Sequence, residues 1–238
     1  MLMNCLSWNC RGLGQTHAVL ELTELVKKYG PTIVFLMEMK AKNDVLKRLC
    51  SKLQFDNFFI VTRINTSRRL VLYWKNEVDL HVLNSSPMYI DAVVNPSLDD
   101  AWRFTGFYGN PVIANQEHSW ALLKHLCLQM DIPWLCIGDF NKIMKAEEKT
   151  GGASRPERQM VAFREALDFY GFRDLGYVGS PFTWCNNQFN GAITWIRLDR
   201  GVATPSWTEM FPSVYVHHIE GLLSDHTPLW VCSDNEQV

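Results

Sequence analysis

At 238 residues and 47% hydrophobic content, the chain is long enough to bury a large core, and residues 1–238 are expected to form a single domain. Its formal net charge of −2 gives no global attraction to nucleic acid, so a phosphate-bearing partner must be held by a local basic patch or a bound metal. No apolar run is long enough to cross a bilayer, and the seven cysteines are scattered without a CxxC pair; both point to a soluble intracellular protein with reduced thiols and no membrane partner.

The first strand candidate, Asn4 to Cys10, stops at Arg11-Gly12-Leu13-Gly14. Val19, Leu22, Leu25 and Val26 then recur at helical spacing, and Gly30-Pro31 ends that helix. An apolar run, Ile33-Val34-Phe35-Leu36-Met37, leads to Glu38, and Val45, Leu46 and Leu49 form the stripe of a second helix. Consecutive strands are expected at Phe58–Thr62, Leu70–Trp74, Val78–Leu83 and Trp102–Tyr108. A helix over about Gln116–Met130 precedes the run Trp134-Leu135-Cys136-Ile137, which ends in Gly138-Asp139-Phe140-Asn141. Another helix, about Glu157–Tyr170, is stopped by Gly171. Phe182–Cys185 and Ile193–Ile196 read as a hairpin whose tip carries Asn190-Gly191, and the second strand runs into Arg197-Leu198-Asp199-Arg200. Mixed strands with interspersed helices fit an α+β fold, a four-layer α/β/β/α sandwich of two packed sheets flanked by helices.

Three apolar runs share one feature: each is bordered by a carboxylate. Glu38 follows one, Asp139 another, and Asp225-His226 precedes the late strand Leu229-Trp230-Val231. Strands rich in Ile, Val, Leu and Phe are covered on both faces, which puts such acids at the rim of a core. Acids gathered at one rim call for a cation or a proton-transfer task.

Taken together, Ser7-Trp8-Asn9, Met37-Glu38-Met39-Lys40, Gly106-Phe107-Tyr108-Gly109-Asn110, Gly138-Asp139-Phe140-Asn141, Arg197-Leu198-Asp199 and Ser224-Asp225-His226 resemble the endonuclease/exonuclease/phosphatase superfamily. Within it, Trp8-Asn9-Cys10-Arg11-Gly12-Leu13-Gly14, Trp102-Arg103-Phe104-Thr105-Gly106-Phe107-Tyr108-Gly109 and Phe182-Thr183-Trp184 are similar to the apurinic-endonuclease-like domain of plant LINE-type retrotransposons. The resemblance implies DNA as partner, Mg²⁺ or alternatively Mn²⁺ as cofactor, a monomeric domain, action in the nucleus, and a reverse transcriptase region downstream in a full-length element. It implies that Glu38 ligates the metal with Asn9 and Asp225 beside it. It further implies that Asp139 activates water with Asn141 as neutral partner, that His226 faces the phosphate, and that Asp199 holds the far imidazole nitrogen. Tyr108 would contact the phosphate through its hydroxyl, with Asn110 as a further contact.

Specificity is expected from the hairpin tip, including Asn187, and from basic residues. Lys142, Lys145, Lys149, Arg155 and Arg158 form one group. Arg68 and Arg69 form another, read as a solvated face more readily than as a DNA contact. Arg11 stands where many relatives carry an acid, which puts a two-metal mode in doubt. The function so implied is a divalent-metal-dependent endonuclease that nicks one DNA strand to leave a 3′-hydroxyl, at abasic sites or at a retrotransposon target. A phosphomonoesterase of the same superfamily and a catalytically silent nucleic-acid-binding domain stay open as alternatives.

Overall fold

The three runs expected to be covered on both faces lie in the strands Ile33–Met39, Trp134–Asp139 and Leu229–Cys232, which are buried at every position in the computed structural model. The structure describes residues 3–11, 16–62, 68–186, 193–219 and 224–233. In chain order the first half comprises β1 (Asn4–Asn9), α1 (Thr16–Tyr29), β2 (Ile33–Met39), α2 (Asn43–Lys52), β3 (Asn57–Thr62), β4 (Arg69–Trp74), β5 (Leu80–Ser86), β6 (Tyr89–Val94) and β7 (Trp102–Tyr108). The second half comprises α3 (Gln116–Cys127), β8 (Trp134–Asp139), β9 (Lys149–Thr150), α4 (Glu157–Phe169), β10 (Arg173–Asp174), β11 (Trp184–Cys185), β12 (Trp195–Ile196), β13 (Asp199–Ala203), α5 (Pro205–Met210), β14 (Tyr215–His218) and β15 (Leu229–Cys232).

Two six-stranded mixed sheets result, ordered β14-β15-β1-β2-β4-β3 and β10-β13-β8-β7-β6-β5, with a small third sheet, β11-β12-β9. Their facing sides form one apolar core containing Phe35, Leu72, Ile90, Phe104, Ile137 and Val231. Helices α1 and α2 lay Leu22, Leu25, Leu46 and Leu49 on the outer face of the first sheet against Trp8, Leu36 and Trp230. Helices α3 and α4 cover the second sheet with Leu123, Leu126, Phe163 and Leu167. The four-layer sandwich is therefore the observed architecture.

Local differences from the sequence reading have physical causes. Helix α3 ends at Cys127 rather than near Met130, leaving Leu128 exposed. Val45 points to solvent while Leu46 and Leu49 carry the buried stripe. The strand expected at Val78–Leu83 runs from Leu80 to Ser86. Strand β6 escapes notice in the sequence because Asp91 interrupts its apolar pattern; that carboxylate is buried and takes both Nε and Nη2 of Arg103 at 2.8 Å. The seven cysteines form no disulfide with one another. Among the described residues, no helix is long and apolar enough to cross a membrane.

The pairing of parallel strands sets up one shared rim. β1 runs parallel to β2, with Asn9 opposite Met37, and β7 runs parallel to β8, with Tyr108 opposite Asp139. Antiparallel β13 brings Asp199 opposite Asp139. The C-terminal ends of four central strands and the start of a fifth thus meet at one edge of the sandwich.

Candidate active site

Glu38 reaches this rim through a distorted strand end. The β2–β4 register shifts between Leu36 and Met39, and Glu38 has φ 57°, in the left-handed region. A bulge of this kind re-aims a side chain that a regular strand would send elsewhere, at a backbone cost on the order of 1–3 kcal/mol. The carboxylate is 6% exposed. Its Oε1 accepts from the Tyr108 hydroxyl and, at 3.1 Å, from Arg68 Nη1, while Oε2 is buried with no partner.

Asp139 is held from the opposite sheet. Gly138, at φ 146°, lets β8 pass so close to β7 that an added Cβ would sit 2.0 Å from the Phe107 carbonyl oxygen. Asp139 Oδ1 accepts the Asn141 N–H at 2.8 Å and Oδ2 accepts Asn9 Nδ2 at 3.0 Å. Asn141 itself has φ 54° and donates Nδ2 to the Gly109 carbonyl at 2.9 Å. Its own carbonyl receives Gln116 Nε2 at 3.0 Å. Asn is among the few residues that tolerate this backbone region, which accounts for its place one step past Phe140.

His226 completes the arrangement. Its Nδ1 lies 2.9 Å from Asp199 Oδ2, and its Nε2 lies 3.9 Å from Asp139 Oδ2 and 3.4 Å from Asn9 Nδ2. The main chain is fixed on both sides of the ring: Trp8 Nε1 donates to the His226 carbonyl at 3.0 Å, and the His226 N–H donates to Ser224 Oγ at 3.2 Å. Thr183 is a positioning residue that sequence reading missed, because its motif reads as an ordinary strand. Its Oγ1 accepts the N–H groups of both Leu198 and Asp199 at 2.9 Å and so fixes Asp199.

Burial and charge shift these groups. Burial, reinforced by the neighbouring Asp199 carboxylate, pushes Asp139 up to about 7 against the opposing pull of His226 and its two hydrogen-bond donors. Burial works to lower His226, but the Asp199 carboxylate outweighs it and raises the imidazole to about 9. The Tyr108 hydroxyl is raised by burial and by Glu38.

Other residues singled out in the sequence have partners of their own or lie outside the described residues. Asp225 is drawn to Arg11 and also accepts Trp184 Nε1 at 3.2 Å. Arg68 keeps a partly exposed side chain and also pairs with Glu38. Arg69 donates Nε to Asn43 Oδ1 at 2.9 Å. Lys142, expected as an exposed phosphate contact, is instead buried, with Nζ bonded to Gln116 and Gln159 and its basicity lowered to about 8 by burial and the nearby Arg155. Asn110 spends Oδ1 on the Val112 N–H at 3.0 Å. Lys149 reaches back to the carbonyls of Gly151 and Ala153. Asn187 and the rest of the hairpin tip, residues 187–192, lie outside the described residues.

A profile of the Endonuclease/Exonuclease/phosphatase family matches residues 6–226, the span from β1 to the imidazole just described. The chain belongs to this family. No curated protein sequence matches it. Among solved structures, the endonuclease domain of TRAS1, a telomere-specific non-LTR retrotransposon, superposes with a TM-score of 0.74 at 13% identity, covering 97% of each chain. The AP endonuclease LMAP from Leishmania major gives 0.73 at 14% identity, over 97% of this chain and 87% of that one. The 3′ phosphatase NExo from Neisseria, bound to a product DNA hairpin, gives 0.71 at 17% identity, over 96% and 98%. These likenesses establish a common fold.

Membership raises the question of a divalent metal, and the donors present fit one. Hard cations such as Mg²⁺ prefer carboxylate and amide oxygen, and Glu38 Oε2 is a buried carboxylate oxygen without a partner. Asn9 offers Oδ1 on the side away from Asp139, where the Arg11 N–H approaches at 3.3 Å. A second acidic group, Asp139, Asp199 and His226, has ligand-type atoms within 4.8 Å of one another. There His226 Nδ1 is already engaged by Asp199, and both Asp139 oxygens accept hydrogen bonds. Asp199 Oδ1 is the one carboxylate oxygen of that group left without a partner.

Proposed function

We propose that this chain is a divalent-metal-dependent DNA endonuclease of the apurinic-site or retrotransposon target-site type, nicking one strand to leave a 3′-hydroxyl. The observation that carries the reading is the convergence, from both sheets onto one rim, of an acid raised by burial, an imidazole raised by an acid, and a separate buried carboxylate with an unpartnered oxygen. The plant LINE-type likeness and the downstream reverse transcriptase belong to the same proposal.

The roles follow from geometry and acid strength. Asp139, anchored by Asn9 and the Asn141 main chain, takes a proton from the attacking water as its oxygen bonds to phosphorus. Asn141 keeps a second amide N–H for a phosphoryl oxygen while the first holds Gly109. His226, cationic at neutral pH and oriented by Asp199, presents Nε2–H to the phosphoryl oxygen that gains charge in the pentacovalent state. The bond from phosphorus to the 3′ oxygen breaks and that oxygen takes a proton from solvent water, leaving the 3′-hydroxyl and a 5′-phosphate. Glu38, with Asn9 Oδ1 and Asp225, would hold the metal, which when bound supplies Lewis-acid stabilisation of that same charge. Tyr108 donates its hydroxyl hydrogen bond to Glu38, so its role in this scheme is to orient that carboxylate rather than to touch phosphate.

The test is conversion of supercoiled plasmid to the nicked form with Mg²⁺, with and without abasic sites, followed by polymerase extension of the nick. Wild-type protein is expected to nick and leave an extendable end, and His226→Ala to fall by about 10²–10⁴-fold. Release of inorganic phosphate from 3′-phosphate ends without nicking would favour the phosphomonoesterase reading. DNA binding without either product would favour a silent binding domain.

A further inference from the structure

Two surface guanidinium groups sit on the two acids proposed to flank the metal. Arg68 Nη1 lies 3.1 Å from Glu38 Oε1, and Arg11 Nη1 contacts Asp225 Oδ2. The asymmetry in burial is pronounced: the carboxylates are 7% and 16% exposed, the arginine side chains 36% and 49%. The acids are fixed in the protein, while each cation reaches them from the surface on a long flexible stem. Arg11 also lies in the field of Glu38 and Tyr108, so both guanidinium groups bear on the same end of the site.

Charge counting turns this into a mechanism. With both arginines in place, Glu38 and Asp225 are neutralised one for one. A divalent ion bound to the same two carboxylates adds two positive charges beside the guanidinium groups, repels them and competes with them for the charge of those acids. A guanidinium fork released from a carboxylate is matched in geometry by phosphodiester oxygens.

We propose that Arg68 and Arg11 are exchangeable counter-ions, holding Glu38 and Asp225 until a divalent cation takes their place and then passing to phosphates of the bound DNA. The inference rests on the metal-dependent nuclease reading above. The main chain is built for it. Arg69, next to Arg68, pairs in register with Met39, next to Glu38, which fixes the reach of the one arginine. The Arg11 N–H is tied to Asn9 Oδ1, which fixes the origin of the other. Metal and DNA binding are thereby coupled, and the coupling is reciprocal: each ligand releases what the other needs.

The experiment is calorimetric titration of Mn²⁺ into the protein, alone and with a phosphorothioate duplex that resists cleavage, for wild type, Arg68→Gln and Arg68→Lys. In the free protein Arg68→Gln is expected to tighten Mn²⁺ binding by about two- to fivefold, the size expected for losing a partly exposed ion pair. The duplex is expected to tighten Mn²⁺ binding in the wild type and to do so less in Arg68→Gln. Duplex affinity of that variant should fall, with the salt slope reduced by about 1. Arg68→Lys, which keeps the charge, should stay near wild type in the free protein. Mn²⁺ binding that is unchanged or weaker in Arg68→Gln would overturn the counter-ion proposal and leave the nuclease reading standing. No Mn²⁺ binding by a folded wild-type protein would overturn both.

Discussion

Asp199 and Arg200 are neighbours on β13, yet they serve two buried clusters of opposite character, because successive side chains on a strand point to opposite faces. On the Arg200 side, charge balances. Arg200 and Arg197 meet Glu148 and Asp174, with Arg200 contacts of 2.8 Å to Glu148 Oε2 and 2.7 Å to Asp174 Oδ2 and an Arg197 contact of 2.7 Å to Asp174 Oδ1. Burial alone would raise both acids, but Arg200 holds Glu148 and Asp174 below the ordinary carboxylate range. On the Asp199 side, charge does not balance. Asp139 and Asp199 share one imidazole, Asp139 is driven up to about 7, and Asp199 Oδ1 is buried without a partner. The balanced cluster is organised for stability, and the unbalanced one is where the proposed chemistry is placed, since perturbed acid strengths concentrate at functional sites.

The largest effect expected from this contrast is structural. Arg200→Met leaves two buried acids to Arg197 alone and should cost about 3–5 kcal/mol of unfolding free energy in a denaturant titration. A loss below about 1 kcal/mol would break the distinction between the clusters, since surface substitutions away from such features stay within about 0.5 kcal/mol.

The clusters should also answer differently to pH. Glu148 and Asp174 have folded values below their ordinary 4.5 and 3.8, so their contribution is present above those values and is lost as pH falls through the folded ones. Acid unfolding of the wild type should therefore steepen below about pH 4 and be blunted in Arg200→Met. His226, raised to about 9 from 6.5, contributes stability that is full below 6.5 and disappears as pH rises through about 9. Nicking should follow a bell-shaped profile, rising as Asp139 loses its proton near about 7 and falling as His226 loses its own near about 9. A rate independent of pH between those limbs and beyond them would contradict the assigned roles.

The smallest effect concerns Glu38. Tyr108→Phe removes a hydrogen bond to a buried carboxylate and should weaken Mn²⁺ binding by about 1–2 kcal/mol, with kcat at saturating metal nearly unchanged. An equal loss of kcat at saturating metal would mean that the hydroxyl acts on the phosphate directly.

Much of this was legible in the sequence because doubly buried strands end in acids, and an acid at such an end has few harmless explanations. Strands β2 and β8, with Glu38 and Asp139 at their ends, belong to that pattern, whereas the pairing of Asp199 with His226 was implied by the family resemblance. The rest depends on contacts across the sandwich. Nothing local marks Glu38 for a left-handed backbone and a bulge, and nothing near Thr183 announces that its hydroxyl holds the N–H groups of Leu198 and Asp199, fifteen and sixteen residues on. Strand β6 was hidden by Asp91, whose partner Arg103 lies on the next strand. Lys142 looked like a surface cation because its burial is set by Gln116 on α3 and Gln159 on α4.

Asp139→Asn, assayed for both nicking and thermal stability on the same preparation, tests the central claim most directly. A carboxylate raised by burial destabilises the fold above its unfolded pKa, so removing its charge should hold or raise Tm at pH 8 while plasmid nicking drops by about 10²–10⁴-fold. Retained nicking, or a fall in Tm together with lost nicking, would contradict the account.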